Sequence, residues 1–268
     1  MMAELYIQTA RINETTCLKK CYCTTPFKVA NITEDKKDSI LRLMLMSSSP
    51  GILDGDAYNI KIDLAKNCSL QLHTQSYQRL FTMKEQATQK MEIQLAEGAS
   101  FCFIPHPAVP HEQSNFTARN KIFLSNNCNL IFGEILTCGR KLNGEIFLFS
   151  KYHCITEIFM NDKLIIKENL LMQPSLIDVN NIGQLQGFTH QASLIYLDEY
   201  ADVKRIKATI MEILVVQKDI SIGITAAPVN GLIVRLLGQK AEQLFDCLKM
   251  IAGCLPQSNQ QKMTAYAI

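Results

Sequence analysis

Apolar and polar residues alternate with period two over much of the chain before residue 190, and three stretches alternate in the same way. KIDLAKNCSLQL (61–72), EIQLAEGASFCF (92–103) and KIFLSNNCNLIF (121–132) align without a gap. Ile62, Ile93 and Ile122 coincide, as do Leu64, Leu95 and Leu124. Leu70, Phe101 and Leu130 follow, then Leu72, Phe103 and Phe132. The centre of each copy holds Asn67, Gly98 or Asn127, residues that tolerate the positive φ of a tight corner. The next residue is always small: Cys68, Ala99 or Cys128. Each copy therefore reads as strand, corner, strand. EIFMNDKLII (157–166) is a weaker fourth copy. A hairpin of this size, recurring about every 30 residues, buries its apolar face only against its neighbours. The pattern predicts a mainly β, layered, solenoid-like stack of strands over 1–190. The alternative is an ordinary β-sandwich that happens to repeat.

The periodicity changes after residue 190. ASLIYL, ISIGITAA and GLIVRLLG read as strands. ADVKRIKATIMEIL places Val203, Ile206, Ile210, Ile213 and Leu214 on one helical face. AEQLFDCLKMIAGCL does the same with Ala241, Leu244, Phe245, Leu248, Ile251, Ala252 and Leu255, and Gly253 and Pro256 are expected to end that helix. No linker separates the parts. The expectation is one domain over 1–268, with a mixed α/β cap carrying two helices over 191–256 and a frayed polar tail over 257–268.

Composition narrows the function. The formal charge is +2 and the basic residues are scattered, which gives no reason to expect nucleic acid. No apolar run is long enough to span a membrane, and the N-terminus lacks a signal-peptide core, so a cytoplasmic chain is expected. Its ten cysteines then read as free thiols. Tryptophan is absent and aromatics are 7%, which counts against a sugar platform.

Four places carry candidate chemistry. Asp54-Gly55-Asp56 is either a glycine-centred turn or a pair of carboxylates for a divalent cation. Cys17, Cys21 and Cys23 are spaced like part of a thiolate site but lack a fourth ligand nearby. His106 and His111 flank a proline-rich loop, as solvated side chains or as transition-metal ligands. In GEILTCGRKLNGEIF, alternation points Glu134 to the same side as Phe132, where a carboxylate needs a partner. Arg140 offers one, as a structural pair or as part of an interior polar site, and Glu145 raises the same question. No nucleophile elbow, zinc-protease helix, phosphate loop or dinucleotide fingerprint occurs, so no enzyme is expected. A β-solenoid hydrolase or lyase using paired carboxylates, and a plain interaction scaffold, are the alternatives.

In order along the chain, TTPFKV (24–29), SPGILDGD (49–56), HTQSYQRLF (73–81), FIPHPAVPHEQSNF (103–116), EILTCGRKLNGEIF (134–147) and GLIVRLLGQKAEQL (231–244) resemble the motifs of the UreD (UreH) family of urease accessory proteins. Ile52 stands where that family has a second glycine, and His73, Arg79 and Phe81 also depart from its pattern. The resemblance implies a non-enzymatic, β-rich protein. It would bind UreF directly and UreG through UreF, dock on the urease apoprotein, and pass nickel through an internal polar tunnel. By matched position the tunnel residues are Asp56, Thr74, Gln75, Ser76, Glu134, Arg140 and Glu145. Asp56, Glu134 and Glu145 would act as transient oxygen ligands, and Arg140 would set charge balance. No cofactor is tightly bound; nickel is in transit. Residues 188–256 are expected to contribute to the UreF surface.

Overall fold

The computed structural model describes residues 1–35 and 37–256, so the expected tail over 257–268 lies outside the described residues. The three copies occupy the middle of two facing sheets. Their first arms, β5 (Ala57–Leu64), β8 (Ala87–Leu95) and β11 (Asn115–Leu124), run parallel in one sheet. The register sets Ile62 beside Ile93 and Ile93 beside Ile122. The second arms, β6 (Ser69–Thr74), β9 (Ser100–Phe103) and β12 (Asn129–Leu136), do likewise in the other sheet, aligning Leu70, Phe101 and Leu130. The two arms of a copy therefore do not pair with each other as a hairpin's would. The corner carries the chain from one sheet to the other, so both apolar faces point inward while each arm hydrogen-bonds to the neighbouring copy.

The corners stack as the strands do. Asn67, Gly98 and Asn127 have φ of 56°, 70° and 60°. The Asn67 amide donates to the Glu97 carbonyl and the Gly98 amide to the Asn126 carbonyl, each at 3.0 Å. A Cβ on Gly98 would stand 2.1 Å from Asn67 Oδ1. Gly98→Ala should therefore cost about 1–2 kcal/mol from its backbone alone, and more from the contact. In a urea titration, adding Asn67→Gly should recover the contact part; an equal cost in both backgrounds would leave only the backbone term.

The fourth copy is a true hairpin. β13 (Lys151–Met160) continues the parallel ladder, placing Ile158 beside Ile122. β14 (Lys163–Met172) folds back antiparallel in the same sheet, around Asn161 and Asp162 at φ of 48° and 63°. Two consecutive positive-φ residues make the turn whose twist suits a two-residue hairpin.

Antiparallel strands flank the parallel middle, so both sheets are mixed. β1 (Met2–Ile12) and β2 (Thr15–Cys23) complete the first sheet beyond β5. β4 (Ile40–Ser47) and β3 (Phe27–Asn31) extend the second beyond β6. On its other side follow β15 (His190–Asp198), β17 (Gly231–Gly238) and the edge strand β16 (Ile220–Ala226). Two short strands, β7 (Gln78–Leu80) and β10 (Ala108–Pro110), pair beside β12.

The main apolar core lies between the sheets. A second cluster lies between the outer face of β12, β15 and β17 and two helices, α1 (Val203–Val215) and α2 (Ala241–Cys254). β12 serves both: Leu130 and Phe132 point inward, Ile131 and Ile135 toward the helices. Burial on two faces is why NLIFGEIL is apolar almost throughout. Asp202 caps α1, accepting the Arg205 amide at 3.1 Å. The α2 stripe also buries Cys247, and the helix runs through Gly253 to Cys254 rather than ending at the glycine.

Candidate functional site

A cavity of about 170 Å³ lies between the sheets. Its outer rim is formed by turns at 47–51, 74–78 and 105–106, and its inner walls are mostly apolar, with Phe103, Phe116 and Phe132 among them. Among the described residues, Glu134 is the one carboxylate on its wall. β12 aims Glu134 inward because it is two residues from Phe132 on the same face, as the alternation predicts.

The first sheet supplies the partners of Glu134. Asn120 Nδ2, on β11, donates to Glu134 Oε1 at 3.0 Å and to Thr156 Oγ1 at 2.9 Å. The Cys154 thiol donates to the same Oε1 at 2.9 Å and the Thr156 hydroxyl at 3.4 Å. The donors converge on Oε1, and the side chain they hold lines the cavity. Burial pushes the Glu134 carboxyl above its ordinary range, and the Glu168 carboxylate adds to this, while the three hydrogen bonds pull it back. Burial likewise pushes the Cys154 thiol well up. Arg140, offered by sequence as the partner of Glu134, is not part of this group. The intervening turn carries it to the surface.

Arg140 instead forks onto Glu145, with Nε 2.8 Å from Oε2 and Nη2 on Oε1. The Glu112 amide donates to the same Oε2 at 3.2 Å. The Arg140 guanidinium holds the Glu145 carboxyl below its ordinary range. A lowered carboxyl stabilises the fold above its unfolded pKa, near 4.3, and that contribution disappears as pH falls through the lowered value. Exchange of the Glu112 amide should accelerate over that acidic window, and Arg140→Ala should move the onset to higher pH. Hydrogen exchange read at Glu112 checks this; an unmoved onset would mean that Arg140 is not what holds the carboxylate.

The other candidates are placed as follows. Asp56 is buried; its Oδ2 accepts from the Leu53 amide at 2.9 Å and the Tyr58 hydroxyl at 3.3 Å, and its Oδ1 lies 3.0 Å from the Met1 amino group. Asp54 accepts the Glu85 amide at 3.0 Å, so the two carboxylates of this turn serve different backbone partners. Thr74, Gln75 and Ser76 line the cavity rim. Thr74 Oγ1 accepts the His106 amide and lies 2.9 Å from the ring Nδ1. That ring sits 4.5 Å from Phe245 of α2, and burial lowers its pKa. His111 is buried against Phe81, away from His106. Cys17, Cys21 and Cys23 lie on the edge strand β2. Among the described residues no cluster of three or more His, Cys, Asp or Glu is arranged to hold a metal, and no helix is long and apolar enough to cross a membrane.

Comparison with known proteins decides the family. The profile of the UreD urease accessory protein family matches residues 1–265. The chain belongs to the UreD family. It is 48% identical over 235 residues to the urease accessory protein UreD of Flavobacterium johnsoniae, covering 87% of this chain and 85% of that one. Identity to the UreD protein of Acetivibrio thermocellus is 34% over 259 residues, covering 94% and 97%. For Actinobacillus pleuropneumoniae serotype 5b it is 33% over 268 residues, covering 97% and 99%. As a UreD-family member the chain is an accessory protein and not itself a catalyst.

Of the residues matched to UreD motifs, the fold brings Thr74, Gln75, Ser76 and Glu134 to one cavity and holds Asp56, Arg140 and Glu145 apart from its wall. Motif matching missed Asn120, Cys154 and Thr156. Only one signal pointed to them: polar residues at inward positions of strands that are otherwise apolar on that face.

Proposed function

We propose that this protein acts in urease maturation as a conduit for nickel, which enters the inter-sheet cavity and is held in passing by Glu134. The observation that carries this reading is a single carboxylate among the described wall residues, hydrogen-bonded in place through Oε1. A carrier must release its ion, and one hard oxygen with neutral neighbours binds more weakly than a closed cage of thiolates and imidazoles. Asp56 and Glu145, whose oxygens are engaged by amides, a hydroxyl and charged groups, would fix the turns they sit in rather than hold the ion. The rim residues Thr74, Gln75 and Ser76 would admit it.

In this proposal the chain joins UreF directly, UreG through UreF, and the urease apoprotein, in the cytoplasm. Exposed Met211, Val215, Val216 and Met250 on and beside the helices support a protein partner on the 188–256 side. Alone, the chain should be poorly soluble; a concentrated, stable monomer would count against that surface. The decisive experiment compares urease activity in nickel medium from cells carrying the whole urease gene set with and without this gene. Abundant but inactive urease without the gene supports maturation, and unchanged activity rules it out.

A further inference from the structure

Two polar rows face each other between the sheets and run from Glu134 to the edge. In the first sheet, Asn120 is directly beside Thr156, and Thr156 directly beside Glu168 of β14. In the second, Glu134 is directly beside Ser193 of β15, and Ser193 directly beside Arg235 of β17. Direct cross-strand neighbours share a face, so each row points into the space between the sheets. Every other position on this inner face of β12 is apolar. At the far end the rows meet: Arg235 Nη2 reaches both oxygens of Glu168, at 2.7 and 2.6 Å. This ion pair joins β14 of the first sheet to β17 of the second, and neither residue lines the cavity. It is part-exposed, with Glu168 at 27% and Arg235 at 56%, so it adds little to stability. The charge of Glu168 also reaches Glu134, whose carboxyl it pushes upward.

We propose that the Arg235–Glu168 pair is a latch closing the second end of the inter-sheet passage, and that Glu168 is the carboxylate next in line after Glu134. The purpose of the latch rests on the conduit reading; its existence does not. With the pair closed, Glu168 is occupied by Arg235, and Asn120 and Thr156 behind it are buried. Release of Arg235 frees a second carboxylate at the edge and opens Glu134 toward it, so a cation then has an oxygen to move to. The cavity rim would serve as one end and the latch as the other.

The test reads access to Cys154, which donates to Glu134 from β13. The full-length protein, in complex with its accessory partners, is treated with methyl methanethiosulfonate, and modification at each cysteine is followed by mass spectrometry. Arg235→Gln should raise the Cys154 rate about tenfold or more, while Cys128, buried in a corner remote from the pair, stays unchanged. Glu168→Gln should do the same without leaving an unpaired carboxylate, which guards against a folding defect in the first variant. Exchanging the charges, Glu168→Arg with Arg235→Glu, should restore slow labelling. An unchanged Cys154 rate in both single variants, or equal rises at Cys154 and Cys128, would overturn the latch. Labelling requires neither nickel nor urease, so this result is independent of whether the conduit reading holds.

Discussion

Glu134→Gln should cut urease activation about tenfold or more while leaving the accessory complex assembled and the fold no weaker at neutral pH. Glutamine keeps the shape and one carbonyl oxygen to accept from Asn120, Cys154 and Thr156, and it removes the charge that would hold a cation. The stability half follows from the direction of the shift. A carboxyl whose folded pKa is raised favours the fold below its unfolded pKa, and that contribution is lost as pH rises through the folded value. The parent therefore carries a penalty at neutral pH that the variant lacks, and the gain from the variant should shrink as pH falls toward about 4. Thermal melts across pH, beside urease assays in cells, separate the two effects. Full urease activation by the variant would rule out Glu134 as a carrier and favour a scaffold without metal transfer. Lost activity with a lost complex would make Glu134 structural.

Phe101→Ala should be the most damaging single truncation in the core, at about 3–5 kcal/mol. Phe101 is fully buried at the centre of the second sheet, directly between Leu70 and Leu130. Its ring centroid lies 6.3 Å from that of Phe103 on the same face. Because it belongs to the middle copy, strands on both sides prevent the hole from closing. A loss of this size is a large part of the 5–15 kcal/mol that typically holds a domain together. Phe101→Leu should cost about 1.5 kcal/mol or less, since most of the volume remains. Urea midpoints of the two variants test this. Equal, small losses would mean that the copies do not share one packed interior at this position.

These two residues differ in how visible they are in the chain. Phe101 is legible from alignment alone: it falls where Leu70 and Leu130 fall in the neighbouring copies, and stacked repeats place equivalent residues side by side. Glu134 is half legible. Alternation with Phe132 gives its direction, but the nearest basic residue in sequence, Arg140, is the wrong partner. A turn between them takes Arg140 outward, where it meets Glu145 five residues on. The hairpin expected within each of the three main copies is wrong for a related reason, though the fourth copy forms one. Positive φ at Asn67, Gly98 and Asn127 specifies a change of direction, but not whether the arms then pair together or with other copies.

Local chemistry thus determined the strands, their inward faces, the corners and the two helical stripes, because period and backbone preference act over a few residues. Motifs in the right order gave a resemblance to the UreD family, which the match over residues 1–265 then showed. Only the tertiary structure decided what surrounds Glu134. Asn120, Cys154 and Thr156 reach it because strands of two different sheets face each other, and Glu168 meets Arg235 across 67 residues of sequence. Such contacts depend on the register of every strand between, which no short stretch of the chain encodes.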